Sequence, residues 1–434
     1  MVRTLSVKDS SLTAVADSIR KKTGKSEKLT FPAEFVSEIE SITAGGGGSA
    51  PAVEVQPSDV NFFDYDGTLI AAYTEAEAKA LTELPTPPEH DGLIFQGWNY
   101  TLEEVIANAD AADVGALYIT DDGATRIYIE LPNNERTLFK IEFNFLKHIA
   151  GTVIDWGDHE SETISDINTY ASSASHTYNS AGTYVIAIHL ADGESIKLGH
   201  GSCIVQDGLT NSYQHDIYTD AVKKIEIGKN VFLSKYCFQE LRSLKTISIT
   251  KDMNFDVDYG FSSCGIEYIT IPQGATKINM NFFENCNNLA AVSIPPSVIK
   301  IYKNAFYYAA LRRICIPKNA DLIALYSLSR DAINSLSIPA GITKINSYSM
   351  YCCNLLCNVE LLGQITAIDD YAFSGCKSLK TVDFTHCTAV PALKSASAFS
   401  DCASDLQILV PAALVDEWKA ATNWTIHANK IVGV

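Results

Sequence analysis

The chain has 434 residues, a formal net charge of −18 and an apolar content of 47%. This length exceeds what one hydrophobic core usually serves, so several domains are expected, and the negative charge disfavours nucleic acid as a partner. No apolar run approaches the ~20 residues of a membrane-spanning helix, so membrane insertion is not expected.

Residues 1–43 are predicted to form two short helices. Apolar residues between Leu12 and Ile19 recur at helical spacing, and Pro32 suits the first turn of the second helix. Two helices this short cannot build a core of their own. We therefore expect them to attach the chain to a partner or to further copies of itself, with a trimer favoured. The Gly-rich residues 44–59 are predicted to be a flexible linker.

Residues 60–112 are predicted to form a small α/β module that acts as a spacer. Strand character is found at Val60–Phe63 and Thr68–Tyr73, and helical character at Glu75–Leu84. A Pro-rich turn then leads into a further apolar segment.

From residue 113 onward the pattern becomes all-β. Short alternating segments separated by turn residues predict a small β-sandwich over residues 113–202. Its strand candidates are Leu117–Thr120, Arg126–Leu131, Leu138–Phe145, Thr152–Trp156 and Thr183–Leu190. Residues 203–221 are predicted to be a connector or an N-terminal cap for the next domain.

Residues 222–411 repeat with a period of 22 to 26 residues. Each unit has a bulky residue, Cys or a substitute three positions later, and then aliphatic residues at strand spacing. The bulky residues are Phe238, Phe261, Phe283, Phe306, Leu328, Met350, Phe373 and Phe399. Such a period predicts a leucine-rich solenoid of about eight units, which needs a cap, and residues 412–434 are predicted to supply it.

The cysteines of the array follow its period. Cys264, Cys286, Cys353, Cys376 and Cys402 each lie three residues after a bulky residue. Equivalent positions of successive units stack, so we expect a file of buried thiols with a packing role. The paired short spacings of a zinc site are absent, and no metal or cofactor is predicted.

The outward positions of the array are the candidates for ligand binding. Aromatic faces stack on sugar rings, and Arg matches carboxylate or phosphate. The candidates are Lys245, Tyr268, Arg312, Arg313 and Lys380 on strands, and Tyr307, Tyr308 and Tyr351 on turns. Because neighbouring side chains alternate in an extended segment, at most one of the two arginines is expected to face the tyrosines.

One local motif suggests catalysis. Asp64-Tyr65-Asp66-Gly67-Thr68 resembles the nucleophile loop of haloacid-dehalogenase-type phosphatases. The doubly wound fold and the lysine which that chemistry needs are not indicated here, and Asp-Gly is a common turn. We therefore predict no enzyme. The paired turn carboxylates leave Ca²⁺ binding open, although no full ligand set is visible.

Four segments of the chain resemble three known families. The units are similar to the BspA-type leucine-rich repeats of bacterial surface proteins and phage-encoded proteins. Residues 151–190 resemble a PKD-type β-sandwich, with His159 in place of the usual Gly. Residues 12–42 and 60–99 resemble N-terminal regions of tail-associated proteins of phages and prophages of Gram-positive bacteria.

These resemblances imply a mainly β, multidomain phage or prophage tail-associated protein. The solenoid would bind a glycan or protein receptor on the bacterial surface, and residues 1–43 would contact other virion proteins. The expected location is the virion tail, assembled in the host cytoplasm and extracellular when it acts. The alternatives are a bacterial surface adhesin and a purely structural virion protein.

Overall fold

The computed structural model describes residues 59–131, 138–145, 151–164, 172–199, 203–206 and 220–434. The chain divides into two units, Met1–Pro57 and Ser58–Val434, and all described residues lie in the second. The predicted helices of residues 1–43, the linker except Asp59, and most of the predicted connector lie outside the described residues.

The described chain begins with a module of four strands and two helices. Its elements are β1 (Val60–Phe63), β2 (Leu69–Tyr73), α1 (Glu75–Lys79), β3 (Leu93–Trp98), α2 (Leu102–Ala107) and β4 (Ala112–Thr120). The strand order is β2-β1-β4-β3, with β1 and β4 parallel and the other pairs antiparallel. Thr74 and Thr101 form capping boxes with Glu77 and Glu104, which define where both helices begin.

Two predictions for this module were inaccurate. The helix predicted over residues 75–84 is shorter and ends at Lys79, with Ala80 as its C-cap. Pro85 disfavours helical backbone only at the last predicted residue, Leu84. The predicted domain boundary at residue 113 falls inside β4, which pairs with β1 and β3. The module therefore extends to Thr120, and the sandwich begins at Thr125.

The next eight strands form the predicted sandwich of two sheets. They are β5 (Thr125–Leu131), β6 (Leu138–Phe145), β7 (Val153–Asp155), β8 (Ser161–Thr163), β9 (Ser172–Thr177), β10 (Gly182–His189), β11 (Ile196–Leu198) and β12 (Val205–Gln206). One sheet has the order β5-β10-β7-β8, and the other has β12-β6-β11 with β9 also on β6. In β5, buried Ile127, Ile129 and Leu131 alternate with more exposed residues, as one buried sheet face requires.

Both sheets continue into the repeat array. The first array strands are β13 (Val222–Glu226), β14 (Val231–Leu233) and β15 (Thr246–Ile247). β13 pairs with β5 on one side and with β15 on the other, while β14 pairs with β11. One hydrophobic core therefore runs from the sandwich to the C-terminal end, and the sandwich itself covers the N-terminal end of the solenoid.

The array is a leucine-rich β-solenoid of about nine turns. Its remaining strands are β16 (Tyr268–Thr270), β17 (Lys277–Ile278), β18 (Ala291–Ser293), β19 (Lys300–Ile301), β20 (Leu322–Ile323), β21 (Ser335–Ile338), β22 (Lys344–Ile345), β23 (Asn358–Leu361), β24 (Ala367–Ile368), β25 (Thr381–Asp383), β26 (Ala392–Leu393), β27 (Gln407–Val410) and β28 (Ile431–Gly433). They form parallel ladders on two sides, one made of the predicted aliphatic strands and one made of two-residue strands. The second ladder was not predicted.

Each turn of the solenoid bends at two left-handed residues that flank its bulky residue. In the units of Phe238 to Phe373 they lie two positions before and two positions after it, with φ between 56° and 67° wherever the residue is not Gly, whereas the Phe399 unit has only the second one, Asp401, with φ of 54°. Tyr326 and Arg330, on either side of buried Leu328, are one such pair. Left-handed backbone is costly for these residue types, so the rung hydrogen bonds must hold it.

The predicted file of thiols is confirmed. Cys264, Cys286, Cys353 and Cys376 are buried, and Cys402 is partly buried. Four of these thiols donate to the carbonyl of the bulky residue one rung earlier, as from Cys353 Sγ to Leu328 O at 2.9 Å. Burial raises the pKa of Cys264 to about 12, which makes it an unreactive packing residue.

Residues 412–434 close the C-terminal end of the core. A short helix, α3 (Val415–Ala420), and the following residues bury Trp418 and Trp424. Trp424 Nε1 donates to Pro391 O at 2.9 Å, and its ring contacts Phe384 and Phe399.

The helices in the described part of the chain lack the length and the apolar character that spanning a membrane requires.

The module of residues 59–120 packs against the side of the solenoid. β4 lies beside β16 and β18. Asn99 Nδ2 donates to Ile271 O at 2.9 Å, and Tyr100 Oη donates to Ile294 O at 2.6 Å. The expected spacer arrangement is therefore wrong for residues 60–112, because the module covers the strand ladder of the first rungs.

Candidate binding surface

A row of tyrosines lies along the turns of the later rungs. Tyr326, Tyr348 and Tyr371 occupy the first left-handed position of successive turns, so each stacks on its equivalent one rung away. Their ring centroids are 4.6 Å and 4.9 Å apart, with interplanar angles of 19° and 12°. These distances match the spacing of parallel strands, so the backbone repeat sets the ring spacing. We call these three residues the tyrosine row.

An arginine is held beside the row by two further tyrosines. The guanidinium carbon of Arg330 lies 4.7 Å from the ring centroid of Tyr308 and 5.6 Å from that of Tyr351. Arg330 Nη1 also donates to Tyr308 Oη. Tyr307 packs edge-on against Tyr308 and Tyr326, which joins this group to the row.

Together these seven residues form one contiguous surface, which we call the tyrosine–arginine surface. Its members are Tyr307, Tyr308, Tyr326, Arg330, Tyr348, Tyr351 and Tyr371. Arg330 is exposed, Tyr308 is 37% exposed and Tyr371 is 39% exposed, while the other tyrosines are half-buried.

The charge on this surface is not neutralised within the described chain. No described carboxylate lies within ion-pair distance of Arg330.

Partial burial raises the pKa of Tyr326, and a hydrogen bond with Cys352 raises that of Tyr351. Both phenols therefore stay protonated at neutral pH and act as hydrogen-bond donors. The surface offers ring edges, hydroxyl groups and one cation.

The structure brings some of the predicted ligand-binding residues together and separates others. Tyr307, Tyr308 and Tyr351 lie on the surface. Lys245, Arg312 and Lys380 are exposed at the strand side of their rungs, and Lys245 pairs with Glu267 at 3.1 Å.

The expected exposure of Tyr268 and Arg313 was wrong. Tyr268 is only 4% exposed, because its ring packs against that of Phe63 in the module at 5.3 Å. Arg313 is directed to the module, where it pairs with Asp113. Both residues are outward on the solenoid, as predicted, but the module covers that part of the ladder.

Sequence reasoning missed Tyr326, Arg330, Tyr348 and Tyr371. A signal was present, since all four lie two residues from a bulky position of the repeat. Aligning the positions two residues before each bulky residue would have placed Tyr326, Tyr348 and Tyr371 at the same position of three successive units.

The aspartates of the phosphatase-like motif form a turn. Asp64 is 3% exposed, accepts from its neighbour Tyr65 N at 2.8 Å, and contacts His90 Nε2 at 2.8 Å. Burial raises its pKa. Asp66 accepts from Thr68 N at 2.9 Å. Both carboxylates thus hold the β1–β2 connection.

The turn carboxylates of the sandwich have similar structural contacts. Asp155 accepts from Gly157 N at 2.9 Å, and Asp158 contacts His176 Nε2 at 2.7 Å. His176 also stacks on Trp156, with centroids 5.1 Å apart. Within the described ranges, no three His, Cys, Asp or Glu residues are grouped in a way that could hold a metal ion.

Comparison with known proteins identifies the repeats. Residues 213–331 and 301–414 match the BspA type leucine rich repeat region, in six copies. No curated protein sequence matches the chain. The array is therefore similar to the leucine-rich repeat regions of the BspA type.

Two solved structures are similar to the chain at low identity. One is a leucine-rich cell surface protein from Faecalibacterium prausnitzii A2-165, with 18% identity, a TM-score of 0.25, and coverage of 52% of this chain and 87% of that one. The other is a leucine-rich repeat protein from Bacteroides ovatus ATCC 8483, with 14% identity, a TM-score of 0.23, and coverage of 56% and 97%.

Proposed function

We propose that this protein is a recognition protein without catalytic activity, and that it binds the surface of a bacterial cell through the tyrosine–arginine surface. The supporting observation is the contiguous row of partly exposed aromatic rings beside an arginine that no described acid neutralises. Tyr and Arg are the residue types enriched in binding interfaces. A solenoid suits this role because each rung adds the same position to one continuous face.

The setting we favour is a bacterial surface protein that acts as an adhesin. It is supported by the BspA-type repeats of residues 213–414, which form the part of the chain that carries the candidate surface. A second setting is the tail of a phage or prophage, which the resemblance of residues 12–42 and 60–99 favours. In the tail, the surface would bind the host receptor or, in a purely structural role, another virion protein.

Binding of the full-length chain to bacterial cells tests the proposed function. The variant Tyr326→Ser/Tyr348→Ser removes two rings of the row, and we expect it to lose at least tenfold in affinity for cells. Tyr236→Ser/Tyr259→Ser is the matched control, because it removes two neighbouring tyrosines, with ring centroids 4.9 Å apart, from the same left-handed turn position in the first rungs. Equal binding by the two double variants would contradict the proposal.

The two settings differ in where the protein is found. Antibody labelling of intact cells is expected to detect a bacterial surface protein in the absence of phage particles. Labelling confined to purified virions would instead support the tail-associated setting.

A further inference from the structure

The tyrosine–arginine surface has features that select the chemistry of its ligand. The guanidinium carbon of Arg330 lies 4.7 and 5.6 Å from the centroids of two tyrosine rings, so the guanidinium is oriented before any ligand arrives. A guanidinium has about five N–H donors in one plane. Only the bond to Tyr308 Oη uses one of them among the described residues. The remaining donors are available for an anion.

A planar fork of N–H donors matches the paired oxygens of a carboxylate or a phosphate. Stacking on tyrosine also lowers the entropy that the side chain loses when the anion binds, because the guanidinium is already held. A fully hydrated, mobile lysine would lack both properties. The guanidinium of Arg330 therefore has the geometry and the orientation to bind an oxyanion.

The tyrosine row indicates an extended ligand. It contributes one ring per rung and runs along the solenoid over three rungs, at spacings of 4.6 and 4.9 Å. A stable protein–protein interface needs about 20–30 residues on each side. A strip that is one side chain wide fits a linear polymer better than a folded protein. Stacked rings cover each other's faces, so the tyrosine row presents ring edges and phenol hydroxyl groups to a ligand. The phenol hydroxyls can form hydrogen bonds with sugar hydroxyls.

The charge of the whole chain restricts where an anionic polymer can bind. The net charge is −18, and the acidic excess lies in residues 44–221, whereas residues 222–434 are slightly basic. An anionic polymer is therefore repelled by the N-terminal half and steered to the solenoid.

We infer that the tyrosine–arginine surface binds an anionic polysaccharide, whose carboxylate or phosphate pairs with Arg330 while its sugar units lie along the tyrosine row. The inference rests on the proposed function and adds the class of ligand to it.

Direct titration of the full-length chain with defined polymers tests the inference. Polygalacturonate supplies carboxylates on sugar units, phosphomannan supplies phosphates on sugar units, and dextran is the neutral polysaccharide. We expect at least one anionic polymer to bind tenfold or more tightly than dextran, and to lose affinity as the salt concentration rises. Which of the two binds more tightly identifies the anion.

The variant Arg330→Gln is expected to lose at least tenfold in affinity for that polymer, and Arg330→Lys to recover only part of it. Arg242→Gln is the matched control, since Arg242 is also exposed but lies outside the tyrosine–arginine surface. Thermal unfolding should be the same for all three variants and the wild type. Equal affinities of Arg330→Gln and Arg242→Gln for the anionic polymer, or dextran binding as tight as that of the anionic polymers, would overturn the inference.

Failure of the inference is distinguishable from failure of the proposed function. If the chain binds cells through the tyrosine row but no anionic polymer binds, the ligand class is wrong and the function stands. Loss of cell binding after protease treatment of the cells would point to a protein receptor and would also overturn the inference. If neither cells nor polymers bind, both proposals are wrong.

Discussion

Asp113 and Arg313 are separated by 200 residues in sequence, yet Arg313 Nε donates to Asp113 Oδ2 at 3.1 Å. The carboxylate is 1% exposed, and Asn61 Nδ2 donates to its other oxygen at 2.9 Å. Cys315 Sγ also lies 3.3 Å from Oδ2. The carboxylate thus receives hydrogen bonds from both the N-terminal module and the solenoid, and this contact fixes one against the other.

Replacing Asp113 with Ala should destabilise the protein by about 2–4 kcal/mol. Breaking a buried pair leaves the partner charge uncompensated, and the cost is reduced here because Arg313 keeps some contact with solvent. Asp110→Ala is the matched control, because Asp110 pairs with Lys318 across the same interface but both side chains are exposed. That variant should cost less than about 1 kcal/mol. Chemical denaturation measures the free energy of unfolding of both variants. Similar losses of stability in the two would contradict the prediction.

The variant Gly115→Ala tests how closely the module packs against the solenoid. A Cβ at this position would lie 2.1 Å from Thr270 Oγ1, so Gly115→Ala should force the surfaces apart and cost about 1–3 kcal/mol. At Gly274 an added Cβ meets no atom within 4 Å, so Gly274→Ala should be nearly neutral. Limited proteolysis should show faster cleavage within residues 59–120 for Gly115→Ala alone. Unchanged cleavage would mean that this interface is not tightly packed.

Much of the solenoid could be predicted from sequence because its information is local and repeated. The bulky residue and the Cys three positions later mark the same buried site in each unit, and Cys353 and Cys376 lie where the period placed them. The two-residue strands were missed because a pair such as Lys300-Ile301 is too short to show alternation. Its recurrence as Lys277-Ile278 and Lys344-Ile345 was the available signal.

The docking of the module could not be predicted from a single sequence. Periodicity identified Tyr268 and Arg313 as outward, and this is correct for an isolated solenoid. Whether water or another domain covers an outward residue depends on contacts between residues far apart in sequence. Nothing local distinguishes Arg313, which pairs with Asp113, from its neighbour Arg312, which is exposed.

His159 occupies a left-handed position in the turn between β7 and β8, with φ of 76°. The resemblance of this segment to the PKD-type sandwich placed Gly there, and Gly adopts such backbone without steric cost. His159→Gly should therefore stabilise the protein by up to about 1 kcal/mol. His189→Gly, in the regular strand β10, is the control and should destabilise it. A lower melting temperature for His159→Gly would show that the His side chain contributes more than its backbone costs.

Asp331 is the departure from the repeat with the largest expected effect on stability. It lies three residues after Leu328, at the position where neighbouring units have Cys353 and Cys376. Its side chain is buried, and neither carboxyl oxygen has a hydrogen-bond partner among the described residues. Burial raises its pKa well above the usual value. The folded protein therefore keeps Asp331 protonated at a pH where the unfolded chain has released the proton.

This difference in proton binding determines how stability depends on pH. The contribution of Asp331 is fully present below the unfolded pKa of about 4 and is lost as the pH rises through the higher folded pKa. Asp331→Cys restores the thiol file and removes the group that titrates, so at pH 7 it should stabilise the protein by about 1–3 kcal/mol. Near pH 4 the difference from the wild type should be smaller. Asp321→Asn is the control. It removes an exposed carboxylate directly before β20 and should change the stability little at either pH. Melting temperatures measured from pH 4 to pH 8 give the comparison, and a gain for Asp331→Cys that does not grow with pH would mean that its carboxyl group ionises in the folded state with an ordinary pKa.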